Sequence, residues 1–210
     1  RRGIGSRGRR LRGCWRRGKC RQFMNRASLE ELLRAAAEMV EFERICIIGS
    51  ASLLVDHPSL GEQGQPLAAS LDADFVLLPE DAEKARILLA RLGRGRTFAS
   101  EKGFHADILR PDITELFPPG WEERLEPMPG FDGVFFLEAA DLAVAKLHAG
   151  RPKDVEVLVH LLKEGLLDAD VVRARLDATP LREKDIVKLY AVWERVLREV
   201  PGGEGLRAET

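Results

Sequence analysis

Apolar residues recur at helical spacing in some stretches of the chain and at strand spacing in others, and the change of period marks out its elements. Leu29, Leu32, Leu33, Ala36, Met39 and Val40 make one helical stripe, which predicts a helix over about 28–41. The pattern Ser28-Leu29-Glu30-Glu31 has the form of a capping box for its start. The β-branched run 44–48 stops at Gly49 and reads as a central strand, with Ala51 to Val55 opening a second helix. Residues 57–70, rich in Pro, Gly, Gln and Ser, carry no period and read as a loop. A strand follows over 71–78, closed by Pro79, and Glu80 and Asp81 open a helix that runs to about Leu92. Phe104 to Leu109 is a further strand, ended by Arg110-Pro111, and two short strands are expected near 124–128 and 133–137. Beyond Glu138 the pattern is helical throughout, over about 139–149, 151–164, 168–177 and 182–199.

The expected architecture is therefore mixed α/β (α+β), a β-sheet with flanking helices followed by a C-terminal helical region. The α/β domain is taken as 24–138, the helical region as 139–200, and the Gly-rich end 201–210 as a disordered tail. With 210 residues, 45% of them hydrophobic and 32% charged, the composition is globular. The longest apolar run, Ile45-Cys46-Ile47-Ile48, falls far short of the ~18 residues that cross a bilayer, so no membrane partner is expected. Cys14, Cys20 and Cys46 have no zinc spacing, and Cys46 among isoleucines reads as a reduced, buried thiol. These features point to the cytoplasm.

Charge is unevenly spread. Residues 1–23 hold ten Arg and Lys, five Gly and no Asp or Glu. Met24 and the residues after it resemble a bacterial start, so 1–23 is read as upstream sequence; the alternative is a basic, disordered arm for nucleic acid. Without that segment the chain has 23 basic against 34 acidic residues, a net charge of −11 over 24–210. So acidic a body binds phosphate backbones only through a local basic patch or bridging metal ions.

Asp72 and Asp74 alternate with Leu71, Ala73 and Phe75 on a strand, so both carboxylates project from one face. Two such charges raise each other's pKa unless a cation lies between them, and Mg²⁺ suits a pair of carboxylates that leaves room for water and substrate phosphates. Asp107, between Ala106 and Ile108, offers a third carboxylate from a later strand. Gly49-Ser50 ends one strand and begins a helix, where backbone N–H groups and a hydroxyl can meet a phosphate. The turn is neither a dinucleotide fingerprint nor a Walker loop. Farther on, Lys146 interrupts an apolar helical turn, and Arg151 and Lys153 follow the Gly150 junction, from which they can reach triphosphate oxygens. Asp141, Arg151 and Asp154 read equally well as an N-cap and interhelical ion pairs. His105 shares the face of Asp107 and reads as a hydrogen-bonded edge histidine, with metal ligation as the alternative. His57, His148 and His160 are scattered, and Trp121 reads as a packing anchor.

The order Gly49-Ser50, Asp72-x-Asp74, then Asp107 resembles the polymerase-beta-like nucleotidyltransferase superfamily, with 51–71 longer than the usual spacing. The resemblance implies two metal ions held by Asp72 and Asp74, with Asp107 completing the site and helping to activate the attacking hydroxyl. A second block is Phe117-Pro118-Pro119-Gly120-Trp121-Glu122-Glu123-Arg124-Leu125, Asp141 to Leu147 and Gly150 to Asp154. It is similar to a bacterial family of uncharacterised nucleotidyltransferase-fold proteins related to abortive-infection and toxin–antitoxin nucleotidyltransferases. The implied activity is transfer of NMP from an NTP to RNA, protein or a small molecule, with a possible partner encoded by a neighbouring gene. The rival expectation is a catalytically inactive fold used as an antitoxin-like binding module.

Overall fold

The computed structural model describes residues 23–180 and 182–200. The basic segment (apart from Phe23) and the tail 201–210 lie outside the described residues. Five strands, β1 Arg44–Ile47, β2 Asp72–Leu78, β3 His105–Leu109, β4 Glu126–Pro127 and β5 Val134–Phe136, form one mixed sheet in the order β3-β2-β1-β5-β4. β1 runs antiparallel to β2 and parallel to β5, and β2 runs parallel to β3. Around the sheet lie α1 Arg26–Met39, α2 Leu53–Asp56, α3 Ala82–Leu92 and α4 Thr97–Lys102. The helical half follows as α5 Ala139–Ala149, α6 Pro152–Lys163, α7 Ala169–Ala178 and α8 Glu183–Glu199. The expected mixed α/β sheet with flanking helices is what the chain forms.

Most expected elements are present within two residues of their limits, and the differences have local causes. α1 starts at Arg26 rather than Ser28, because Asn25 is its N-cap and accepts from the backbone N–H of Ser28 at 2.9 Å. The Ser28 hydroxyl instead donates to the Phe23 carbonyl, and Glu31 pairs with Lys102 across to α4, so no capping box forms. Residues 57–70 form the expected loop, with the 3₁₀ turn Pro58–Gly61 inside it, but the loop is packed. Leu60 and Leu67 are buried, the Leu67 N–H bonds the Leu60 carbonyl at 3.0 Å, and Met24 N–H bonds Ser70 O at 2.8 Å. Two well-spaced leucines and internal hydrogen bonds order a segment of successive turns, whose backbone repeats no period. α4 and the 3₁₀ segment Pro111–Leu116, neither expected, are likewise too short to show a period.

One hydrophobic cluster takes in residues from the sheet and from the helical half, including Ile47, Phe75 and Phe136 with Leu147, Leu158 and Trp193. The block 117–125 is tied to α5 by charge. Arg124 donates twice to Asp141, at 2.9 and 2.8 Å, and twice to the Pro119 carbonyl, at 3.1 Å. Arg175 from α7 stands 3.3 Å from the same carboxylate, which is 0% exposed. Asp141 is thus a buried ionic anchor and not the N-cap of α5, which is Glu138. Trp121 packs edge-on against Phe117 at 5.1 Å, the anchor its sequence context indicates.

Candidate active site

Strand register creates the site. In the parallel β2–β3 pair, Asp74 lies opposite Asp107 and Asp72 opposite His105. Ala73, Phe75, Ala106 and Ile108 point to the other side and are buried, so the four polar residues share one face by the two-residue period of a strand. Donor atoms of Asp72, His105 and Asp107 all lie within 4.8 Å of one another. β1 brings in the turn: Ile48 N–H bonds Asp74 O at 3.0 Å, so Gly49 falls beside the Asp74 side chain. A Cβ at position 49 would stand 1.9 Å from Asp74 Oδ2, so only glycine leaves that carboxylate its place.

Asp74 is held in an unfavourable state for an anion. Burial pushes its carboxyl up from an ordinary 3.8 to about 6, the Asp72 and Asp107 charges add to the rise, and Lys146 and Arg151 partly offset it. Among the described residues neither Asp72 nor Asp74 forms an ion pair with a basic side chain, and Asp107 approaches only His105, at 3.8 Å. Clustered, half-buried carboxylates that no described Lys or Arg pairs directly are a donor set of the kind a divalent cation neutralises. The residues present therefore fit a metal ion.

Opposite the carboxylates lies a cationic floor. Lys146 on α5 is 5% exposed, and its Nζ donates to Ser50 Oγ at 2.7 Å and to Asp154 Oδ1 at 3.2 Å. Asp154, in the first turn of α6 and 1% exposed, also accepts from Arg151 Nε at 2.6 Å. Gly150, at φ +61°, makes the left-handed turn that lets α6 double back and place Asp154 beside Lys146. Burial pushes the Lys146 ammonium below its ordinary range, and Asp154 offsets only part of the fall. The Asp154 carboxyl is also pushed up by burial, but Arg151 and Lys146 outweigh this and hold it below its ordinary range. The helix after Gly49-Ser50 proves short: a 3₁₀ turn Ser50–Ser52, then the four-residue α2. Its dipole is correspondingly small, and the Ser50 hydroxyl and Lys146 carry more of any anion binding than the sequence pattern implies.

Two clefts meet at Ser50 and Lys146. One, of about 690 Å³, is lined by Asp72, His105, Arg94 and Lys153 and walled by the 66–71 segment, so the long insertion flanks the site and does not cover it. The other, of about 480 Å³, contains Gly49, Asp74 and Arg151 and has an apolar wall of Ile113, Leu116 and Phe117. Every site residue singled out in the sequence thus lies on one of these clefts or, for Asp107, beside them on the shared face. Arg94, whose Nε donates to His105 Nε2 at 3.4 Å, carries no sequence signal for the site, since in Arg94-Gly95-Arg96 it reads only as part of a turn. Phe117, which the sequence presents as part of the 117–125 block, stands on a cleft wall.

Residues 26–200 match the family described as "Nucleotidyltransferase of unknown function (DUF6036)". The chain belongs to it. The match runs from the first residue of α1 to the residue after α8, so membership in this nucleotidyltransferase family extends over both the carboxylate face and the Lys146 floor. No curated protein and no solved structure matches the chain. Among the described residues no helix is long and apolar enough to cross a membrane.

Proposed function

We propose that the protein transfers a nucleoside monophosphate from an NTP to an acceptor hydroxyl or phosphate, using Asp72, Asp74 and Asp107 as ligands for two Mg²⁺ ions. The reading is carried by one observation: Asp74, raised to about 6 beside two more carboxylates, faces the Ser50–Lys146 floor where two clefts join. Ser50, Lys146 and the Gly49-Ser50 backbone hold the triphosphate, and Arg151 and Lys153 approach its oxygens from the start of α6. The apolar wall of Ile113, Leu116 and Phe117 receives the nucleoside, and the cleft of Asp72, Arg94 and His105 receives the acceptor. This places donor and acceptor on opposite sides of the carboxylate ridge, as in-line displacement requires. The acceptor oxygen attacks the α-phosphorus, its proton passes to Asp107, and the bond to the bridging oxygen breaks to release pyrophosphate. Bound divalent cations supply Lewis-acid stabilisation of the attacking and leaving oxygens. The α/β domain 24–138 thus contributes the carboxylates and the helical region 139–200 the phosphate-holding cations.

The acceptor belongs to RNA, to a protein (a neighbouring gene's product in a toxin–antitoxin arrangement included) or to a small molecule. Incubation of the protein with each of the four NTPs, Mg²⁺ and cell extract is expected to release pyrophosphate and label one acceptor with one nucleotide. Asp74→Ala is expected to abolish both while leaving the circular dichroism spectrum unchanged. Absence of labelled product with every NTP would contradict an enzymatic role. Mg²⁺-dependent nucleotide binding without turnover would leave an inactive, antitoxin-like binding module.

A further inference from the structure

We propose that His105 is itself a metal ligand, and that its imidazole tilts the Asp72–Asp107 position toward a first-row transition cation such as Mn²⁺ over Mg²⁺. The inference rests on the reading that these carboxylates hold a divalent cation. His105 is the most buried histidine of the described residues, at 6% exposure, and it faces into the larger cleft. Its strand partner is Asp72, and its Nε2 stands 3.8 Å from Asp107 Oδ1. That distance is too long for a hydrogen bond. It suits two ligands of one ion, since donors each about 2.1 Å from a metal stand about 3–4 Å apart.

Arg94 Nε stands 3.4 Å from the same Nε2, the contact a guanidinium donor makes to a ring lone pair. A cation and Arg94 then compete for the same lone pair. Mg²⁺ takes oxygen ligands almost exclusively, whereas an imidazole in the set favours transition ions, which accept mixed nitrogen and oxygen donors.

Mn²⁺ binding to the full chain is to be measured by the loss of the free-ion electron paramagnetic resonance signal, and Mg²⁺ binding by competition. Electron spin-echo modulation reads any ¹⁴N ligand of the bound Mn²⁺. Expected are a ¹⁴N signal in the wild type, its loss in His105→Asn, and a fall of about tenfold or more in Mn²⁺ affinity with little change for Mg²⁺. Arg94→Gln is expected to tighten Mn²⁺ more than Mg²⁺. No ¹⁴N coupling in the wild type, which depends on no variant, would overturn the proposal, as would a Mn²⁺/Mg²⁺ ratio unchanged by His105→Asn. If neither cation binds the wild-type protein, the nucleotidyl-transfer reading falls as well; if both bind equally through oxygen alone, only the role of His105 falls.

Discussion

Replacing Asp74 by Asn should make the cation-free protein more stable, although it destroys the site. The Asp74 carboxyl titrates at about 6 in the folded chain against an ordinary 3.8, with burial as the main cause and Asp72 and Asp107 adding to it. Near pH 4 the folded chain keeps this proton and the unfolded chain has lost it only in part, so Asp and Asn differ little. As pH rises toward 6 the unfolded chain loses this proton while the folded chain keeps it, so wild-type stability falls. Above about pH 7 the whole difference is expressed. A rise of roughly two pKa units at about 1.4 kcal/mol each gives close to 3 kcal/mol, and partial exposure of the site reduces this to about 2. Asn has no proton to lose and escapes the penalty. For a domain of this size, about 2 kcal/mol moves Tm by roughly 4–8 °C. Thermal unfolding of wild type and Asp74→Asn, with chelator and at intervals from pH 4 to 8, should show the curves together at pH 4 and separated at pH 8 with the variant higher. Saturating Mg²⁺ should close the gap at pH 8 by raising the wild type alone. An Asn variant less stable than wild type at pH 8, or a gap that does not depend on pH, would refute the electrostatic reasoning.

Further consequences follow from neighbouring contacts. Gly49→Ala places a methyl group against Asp74 Oδ2, so cation affinity measured by calorimetry should fall about tenfold while the far-ultraviolet spectrum is unchanged. Lys146→Met leaves Asp154, 1% exposed, with Arg151 as its ion-pair partner among the described residues and removes the donor to Ser50. Urea unfolding should show a loss of about 2–4 kcal/mol, and NTP affinity of the folded fraction should fall at least tenfold. Arg124→Gln separates structure from function: it withdraws two hydrogen bonds from the fully buried Asp141, so stability should drop by about 3 kcal/mol with NTP affinity per folded molecule unchanged.

What could be read in the sequence was what depends on period and parity. The alternation of Asp72 and Asp74 with Ala73 and Phe75 determines which side chains share a face before any register is known, and β3 obeys the same rule for His105 and Asp107. Gly49-Ser50 was visible as a turn between a strand and a helix. The reason for glycine, its closeness to Asp74, depends on the antiparallel β1–β2 register, which no local pattern encodes. Lys146 stood out as a charge in an apolar turn, but its partners are 96 residues away at Ser50 and across a helix junction at Asp154. Arg94 and the packed 57–70 segment were illegible for the same reason: their roles come from tertiary contacts made by residues of ordinary turn composition. Asp141 was visible as a helix-start acid but misleading, because its Arg124 and Arg175 partners come from segments with no periodic relation to it.

Crystals of the wild-type protein soaked with Mn²⁺ and a non-hydrolysable NTP show whether the carboxylate face and the Ser50–Lys146 floor bind metal and triphosphate together, because the anomalous signal locates the ion independently of the nucleotide. Expected is an anomalous peak among Asp72, Asp74 and Asp107, with the β- and γ-phosphates against Ser50 and Lys146. Phosphates bound away from Ser50, or no anomalous peak between the two aspartate-bearing strands, would overturn the proposed site.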